Sequence, residues 1–206
     1  PTPDAAATAA AGSDTPAARA DALGRIAAEV AACTRCRLHS TRTHTVPGVG
    51  AANAGVVFVG EAPGADEDAQ GEPFVGAAGQ LLNKILAAIG FRREEVFITN
   101  ILKCRPPGNR DPQPDEVACC RPYLERQMAI LRPKVICALG RHAGATLTGA
   151  PDNMTALRSG TWHYQGIRVF PTYHPAALLR NSNWKRPTWE DVQALRAEHD
   201  RLAGNP

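Results

Sequence analysis

Gly55-Val56-Val57-Phe58-Val59-Gly60 runs straight into Glu61-Ala62-Pro63-Gly64-Ala65-Asp66-Glu67-Asp68, and this junction decides the fold. The apolar run is rich in β-branched residues, bounded by glycines and too short for a buried helix, so it reads as a central parallel strand. Runs of the same kind stand at 96–99, 135–139 and 167–171. Apolar residues recur at helical intervals over 77–89, 114–131, 141–147 and 188–202, and an amphipathic stretch at 18–32 leads into Cys33. Strands alternating with helices imply an α/β fold, a three-layer α/β/α sandwich around a central four-stranded parallel sheet. In such sheets ligands bind beyond the carboxyl ends of the strands, so chemistry is sought in the residues just after each one.

The chain of 206 residues is 44% hydrophobic and 21% charged, with a formal net charge of +3. Those values exclude collagen-like, coiled-coil and wholly disordered classes. Its apolar runs fall far short of the roughly 20 residues that span a bilayer, so no membrane partner is expected. Nor is a secretory signal expected, because the opening residues carry no basic flank and no leucine-rich stretch. Pro1 to Ala17 reads as a disordered low-complexity tail, leaving 18–206 as one folded domain. The small positive charge is compatible with a phosphate-bearing partner without establishing one.

Beyond the first strand, two glycines and two prolines fix a tight turn, to which Glu61 and Glu67 add carboxylates. The acidic side chains argue against phosphate binding, and an acidic connection between strand and helix reads equally well. The second strand ends in Asn100, whose amide can offer one acceptor and one donor to the edge of a planar base, although an Asn also caps strand ends. Lys103, Arg105 and Arg110 follow in a Pro- and Gly-rich loop that suits phosphate contacts or a solvated connection. The fourth strand delivers His174 before Pro175, a position suited to electrophilic or acid/base work, and then Leu178, Leu179 and Arg180, which could wedge into stacked bases. A capping histidine and two core leucines are the plainer reading of that stretch.

Six cysteines in a chain expected to carry no export signal favour metal ligation or burial over disulfides. Cys33 and Cys36 form a C-x-x-C pair, and Cys104 and Cys120 follow at long intervals. Four such thiolates suit zinc or an iron-sulfur cluster, and spacing does not choose between them. Cys119 competes with Cys120, because adjacent helical residues point about 100° apart and only one can face a shared site. Cys137, inside an apolar strand, reads as a buried small hydrophobe.

Taken in order, C-x-x-C, GEAPG-x-x-ED, PFVG-x-AG, TN-x-x-KCRPP-x-NR-x-P, a cysteine directly before Arg121-Pro122, ALG and HPAALLRN resemble the family 4 uracil-DNA glycosylases over about residues 20 to 203. The resemblance implies a monofunctional DNA N-glycosylase that removes uracil and begins base excision repair. It also implies one structural 4Fe-4S cluster on Cys33, Cys36, Cys104 and Cys120, the last because the family's final cysteine directly precedes Arg-Pro. By the same resemblance Glu61 orients or activates water, and His174 donates to the uracil O2 with help from the Ala62 amide. Phe74 stacks on the base, Asn100 reads its O4 and N3–H edge, and Glu67 lines the pocket near C5. Arg105, Arg110, Leu178, Leu179 and Arg180 are the expected DNA contacts.

The chain departs from better-known uracil glycosylases in carrying Ala62 where they have an Asp before the motif's proline, which moves the acidic role to Glu61. It also lacks the KRRIH insert of a branch that links covalently to the abasic sugar, so hydrolysis with turnover is expected. The implied partner is uracil-containing DNA, bound by a monomer in the cytoplasm, at the nucleoid of a prokaryote, and nothing in the residues speaks for a sliding clamp. The rival readings are a non-catalytic nucleic-acid-binding module held by iron-sulfur or zinc, and an electron-transfer protein.

Overall fold

The computed structural model describes residues 14–204. In chain order the elements are α1 (Pro16–Ala31), β1 (Val49–Gly50), β2 (Val56–Gly60), α2 (Ala65–Gln70), α3 (Ala77–Ala88), β3 (Phe97–Asn100) and α4 (Pro114–Leu131). Then come β4 (Val135–Leu139), α5 (Arg141–Thr148), α6 (Met154–Ser159), β5 (Trp162–Tyr164), β6 (Ile167–Thr172), α7 (Pro175–Arg180) and α8 (Lys185–Ala203).

The sheet is six-stranded and mixed, in the order β1-β3-β2-β4-β6-β5. Its inner strands β3, β2, β4 and β6 are mutually parallel, as expected, and the added strands β1 and β5 pair antiparallel at the two edges. The four-stranded expectation is thus corrected by two short edges that carry too few residues for a periodic signal. The β5–β6 hairpin turns on Gln165 and Gly166, with φ of 50° and 83°, the paired positive values of a turn matched to strand twist.

Alternate strand residues serve opposite faces. Val57, Val59, Ile136 and Ala138 meet Leu124, Met128 and Leu131 of α4 and Ala143 and Leu147 of α5. Val56, Phe58, Val135 and Cys137 meet Leu82 and Leu86 of α3 and Leu195 of α8. That arrangement is the expected three-layer sandwich, and it makes Cys137 a core residue. On the outside of α4, Ile26 and Val30 of α1 close over Tyr123. Helix α1 begins at Pro16, capped by the Thr15 side chain, so it takes in the end of the stretch expected to be tail, and residues 1–13 lie outside the described residues.

After β2 the chain goes to β3 on one side and later returns to β4 on the other, which makes β2 and β4 the topological switch point, where open α/β sheets bind ligands. Gly60 lies level with Asn100 and Leu139 with Thr172, so Glu61, Asn100, Gly140 and Tyr173 emerge side by side at one end of the sheet.

Candidate active site

A cleft of about 860 Å³ opens at that end, and Glu61, Ala62, Glu67, Phe74, Asn100, Arg110, His174 and Arg180 all line it. Four separated segments therefore converge on one cavity. Asn100 is 1% exposed, and its Oδ1 has no hydrogen-bond partner. A buried amide oxygen without a partner carries a desolvation cost that a ligand N–H would relieve. Behind it, the buried Lys103 ammonium donates to the Asn100 carbonyl at 2.8 Å, Thr99 Oγ1 at 2.5 Å and Gln127 Oε1 at 2.7 Å, which fixes the end of β3. Burial pushes the Lys103 pKa down to about 7.

Phe74 forms a wall with its backbone at φ 53°, a left-handed conformation uncommon for an aromatic residue. Two glycines leave room for it. A Cβ on Gly79 would sit 1.8 Å from the Phe74 carbonyl oxygen, and one on Gly60 would sit 2.7 Å from its ring and 2.3 Å from Asn100 Oδ1. Glu67 holds the same turn closed by accepting the amide N–H groups of Gly64 at 3.1 Å, Val75 at 3.0 Å and Gly76 at 3.1 Å. Its carboxylate is thus engaged in bracing the wall, a role that sequence spacing did not suggest.

The Phe74 ring stacks on His174, with centroids 5.4 Å apart and planes at 29°. His174 caps α7, its Nδ1 accepting the Ala176 N–H at 3.1 Å, so the ring proton belongs on Nε2. Burial, reinforced by Arg180, pushes its pKa down to about 4, leaving a neutral donor at neutral pH. Across the cleft, the pKa of Glu61 is raised above the ordinary carboxylate value, chiefly by burial. His142 Nε2 stands 3.9 Å from Glu61 Oε2. Asp111, Arg141 and His142 also line the cleft, and sequence reading singled out none of them, because Asp111 lies in the loop before α4 while Arg141 and His142 open α5, and no local pattern joins the two places.

The expected DNA contacts divide. Leu179 is 55% exposed, but Leu178 is 3% exposed and faces the core, which removes it as a wedge. The Arg110 guanidinium is bound to Glu116 at 2.9 Å and 2.5 Å, so its charge serves the α4 N-terminus more than a free surface. The side chain of Glu116 is fully buried and also meets Arg37 at 3.0 Å. Arg105 donates to Asn109 Oδ1 at 2.7 Å on the cleft rim.

Five cysteines gather around a small cavity between α1 and α4, together with Arg35, Arg42 and Lys103. Cys104 Sγ accepts from Arg42 Nη1 at 3.2 Å, and Cys120 Sγ accepts from the Lys103 amide at 3.4 Å. Cys119 Sγ instead faces the Arg35 carbonyl at 3.3 Å, which calls for a protonated thiol. Sulfurs that accept N–H donors are the ones suited to be thiolates, so the geometry favours Cys120 over Cys119.

With the site in view, comparison with known proteins gives a consistent result. The sequence profile of the Uracil DNA glycosylase superfamily matches residues 47–194, from the loop before β1 to α8. The chain belongs to that superfamily. A Type-4 uracil-DNA glycosylase from Sulfurisphaera tokodaii is 47% identical over 185 residues, covering 85% of this chain and 84% of the relative. One from Archaeoglobus fulgidus is 49% identical over 167 residues, covering 77% and 84%. One from Saccharolobus solfataricus is 46% identical over 186 residues, covering 85% and 86%. Among the described residues no helix is long and apolar enough to cross a membrane.

Proposed function

We propose that this superfamily member is a uracil-DNA glycosylase, a hydrolase that flips uracil out of DNA, breaks its N-glycosidic bond and leaves an abasic site for base excision repair. The observation that carries the reading is the buried, unpartnered Asn100 Oδ1 beside the Phe74 wall and the neutral His174.

A base inside a duplex is out of reach, so the nucleotide must leave the stack at a cost of a few kcal/mol. The exposed Leu179 and Arg180 on α7 suit a wedge and a phosphate contact, and Arg105 suits the backbone beyond the rim. Once flipped, uracil packs against Phe74, gives its N3–H to Asn100 Oδ1 and takes the amide N–H at O4. Cytosine reverses that donor and acceptor order and leaves the buried amide mismatched, the kind of penalty on which strong discrimination rests.

Bond cleavage builds negative charge on uracil O2 and positive charge on the sugar. The neutral His174 Nε2–H is a donor for O2, with the Ala62 amide as a second, and neutrality lets it stabilise the anion without first giving up a proton. Glu61 orients the attacking water, takes its proton and faces the cationic sugar with a carboxylate. The groups operate on DNA bound by a monomer, in the cytoplasm at the nucleoid of a prokaryote.

Cys33, Cys36, Cys104 and Cys120 are the residues that would hold a 4Fe-4S cluster, and all four line the same small cavity. Tetrahedral zinc, with bonds of about 2.3 Å, needs its sulfurs within about 4 Å of one another. Among the described residues no three cysteine sulfurs lie within 4.8 Å of one another, a spread that suits a larger group. Its part is structural, joining α1, the loop after β3 and α4, and hydrolysis has no redox step for it.

Incubation of iron-replete protein with a labelled oligonucleotide holding one uracil, followed by alkali, tests the reading. Cleavage at uracil alone, lost in E61Q and H174N, is the expected result. An iron-replete protein that binds DNA without cutting at uracil would overturn it in favour of a non-catalytic binding module.

A further inference from the structure

Tyr173 follows the last residue of β6 and directly precedes His174, and its ring is built into a stack. At the foot of that stack Asp191 of α8 accepts the Thr172 hydroxyl at 2.7 Å and holds the Arg158 guanidinium in a two-pronged pair at 2.7 and 2.9 Å. Arg158 also donates to the Pro187 carbonyl at 3.1 Å, so its plane has little freedom to turn. Its guanidinium carbon lies 5.5 Å from the centroid of the Tyr173 ring. Trp184 lies on the same tyrosine, with centroids 5.0 Å apart and planes at 6°, close to parallel.

Trp184 is pinned through its backbone. It ends the short turn Ser182–Trp184, in which Asn181 Oδ1 accepts the Asn183 amide N–H at 3.0 Å, and its carbonyl accepts the Thr188 hydroxyl at 2.8 Å in the first turn of α8. The stack therefore runs from the end of β6 to the cleft, which Tyr173 and Trp184 both line, and both rings remain partly exposed. An indole held flat and left wet in a cleft wall is an unfinished stack, because an aromatic face gains from a further planar group laid against it. Arg180 lines the same cleft and Lys185 follows Trp184 directly, and both are exposed. A fixed aromatic ring flanked by cations takes a nucleobase together with its phosphate, with little regard to which base, since every base has a π face.

We propose that Trp184, backed by Tyr173 and Arg158, is a stacking platform for the base next to the flipped uracil in single-stranded DNA. This rests on the glycosylase reading. Flipping strips that neighbour of its stacking partner, and in a single strand no opposite strand holds it in place. The indole supplies a new partner at the strand end that also carries His174. The platform serves binding: it fixes the strand across the cleft and leaves the bond-breaking groups, Glu61 and His174, as they are.

The test pairs removal of a base from the DNA with removal of the ring from the protein. Excision kcat/KM is measured for wild type, W184A and W184F on single-stranded thymine oligonucleotides holding one uracil. These are either intact or lack the base of the nucleotide on the 5′ or the 3′ side of the uracil. Wild type is expected to lose about tenfold on one of those two sides, carried by KM and not by the rate at saturation. W184A is expected to lose about tenfold on intact DNA and nothing further once that base is gone, whereas W184F, still aromatic, stays within about threefold of wild type. A folded W184A whose loss multiplies with that of the missing base, or a wild type indifferent to both missing bases, would overturn the proposal. The second result needs no variant, so it stands even where W184A fails to fold. Should wild type cut no uracil, the glycosylase reading falls, and tryptophan fluorescence titrated with a thymine oligonucleotide decides the platform by itself. Quenching in wild type that is largely lost in W184F supports the stack, and equal quenching in the two refutes it.

Discussion

Replacing Gly60 by Ala probes the pocket where it is tightest. The Gly60 backbone lies outside the left-handed region, so alanine is conformationally acceptable, but its Cβ would stand 2.3 Å from Asn100 Oδ1. A carbon and an oxygen settle at roughly 3.3 Å or more, so the amide oxygen must retreat by about 1 Å. The Phe74 ring, 2.7 Å from the same methyl, has little freedom to yield, because its carbonyl is packed against Gly79 and its ring against His174. A displacement of that size at a substrate-reading group costs about 100-fold in rate, or about 2.7 kcal/mol of transition-state stabilisation. Overpacking costs about 1–3 kcal/mol of stability as well. The assay is single-turnover excision at saturating enzyme, with the melting temperature measured on the same samples. Gly24, in the middle of α1 with nothing within 4 Å of its Cβ position, is the control. G24A is expected to gain about 0.5–1 kcal/mol and to leave excision unchanged. A folded G60A that excises uracil within about threefold of wild type would refute the argument that the spacing of Asn100 and Phe74 sets base reading.

Other substitutions separate roles that adjacent residues share. Glu116 has its pKa held down to about 2 by Arg110 and Arg37, so it contributes stability above the ordinary carboxylate range that is lost as pH falls from about 4.5 towards 2. The shift sets a ceiling of about 3 kcal/mol, which water on the partly exposed arginines reduces to about 1–2 kcal/mol. Denaturant curves of E116Q are therefore expected to lie below wild type at pH 7 and to converge with it near pH 2, and parallel curves would contradict this. C120S is expected to lose iron and stability together while C119S keeps its iron, as judged by metal analysis and visible absorbance; equal losses would remove the distinction drawn from their sulfur contacts. L178A is expected to cost about 2–5 kcal/mol as a core truncation. L179A should leave stability alone and slow excision from duplex more than from single-stranded DNA, and an equal effect on both substrates would argue against a wedge.

The strands of the central sheet were legible because Val, Ile and Phe crowd into runs too short for helices, and the register of that sheet puts Glu61, Asn100 and His174 at one end. Helix α7, with six residues, is too short for its phase to be read, which is why Leu178 and Leu179 looked alike until one proved buried and the other exposed. Arg110 resembled a phosphate contact because the pull of Glu116, six positions on, depends on how the loop folds back over the α4 N-terminus. The left-handed backbone at Phe74 had only an indirect signal, the glycines at 60 and 79 that leave it room. His142, Asp111 and Asp152 meet only through the return of β4 beside β2, and no local pattern announces a contact between loops so far apart in sequence.

Helix α7 has a mechanical consequence. His174 caps its first turn and Arg180 ends it, so the polar donor and the outward-facing Leu179 sit on one rigid rod about 9 Å long. If Leu179 and Arg180 meet a duplex as proposed, a load on them acts on the same rod that carries the imidazole. On that proposal docking and donor alignment are a single movement: a surface that seats the rod badly would leave His174 off its mark, and the bond would be cut only where the strand has already yielded its base.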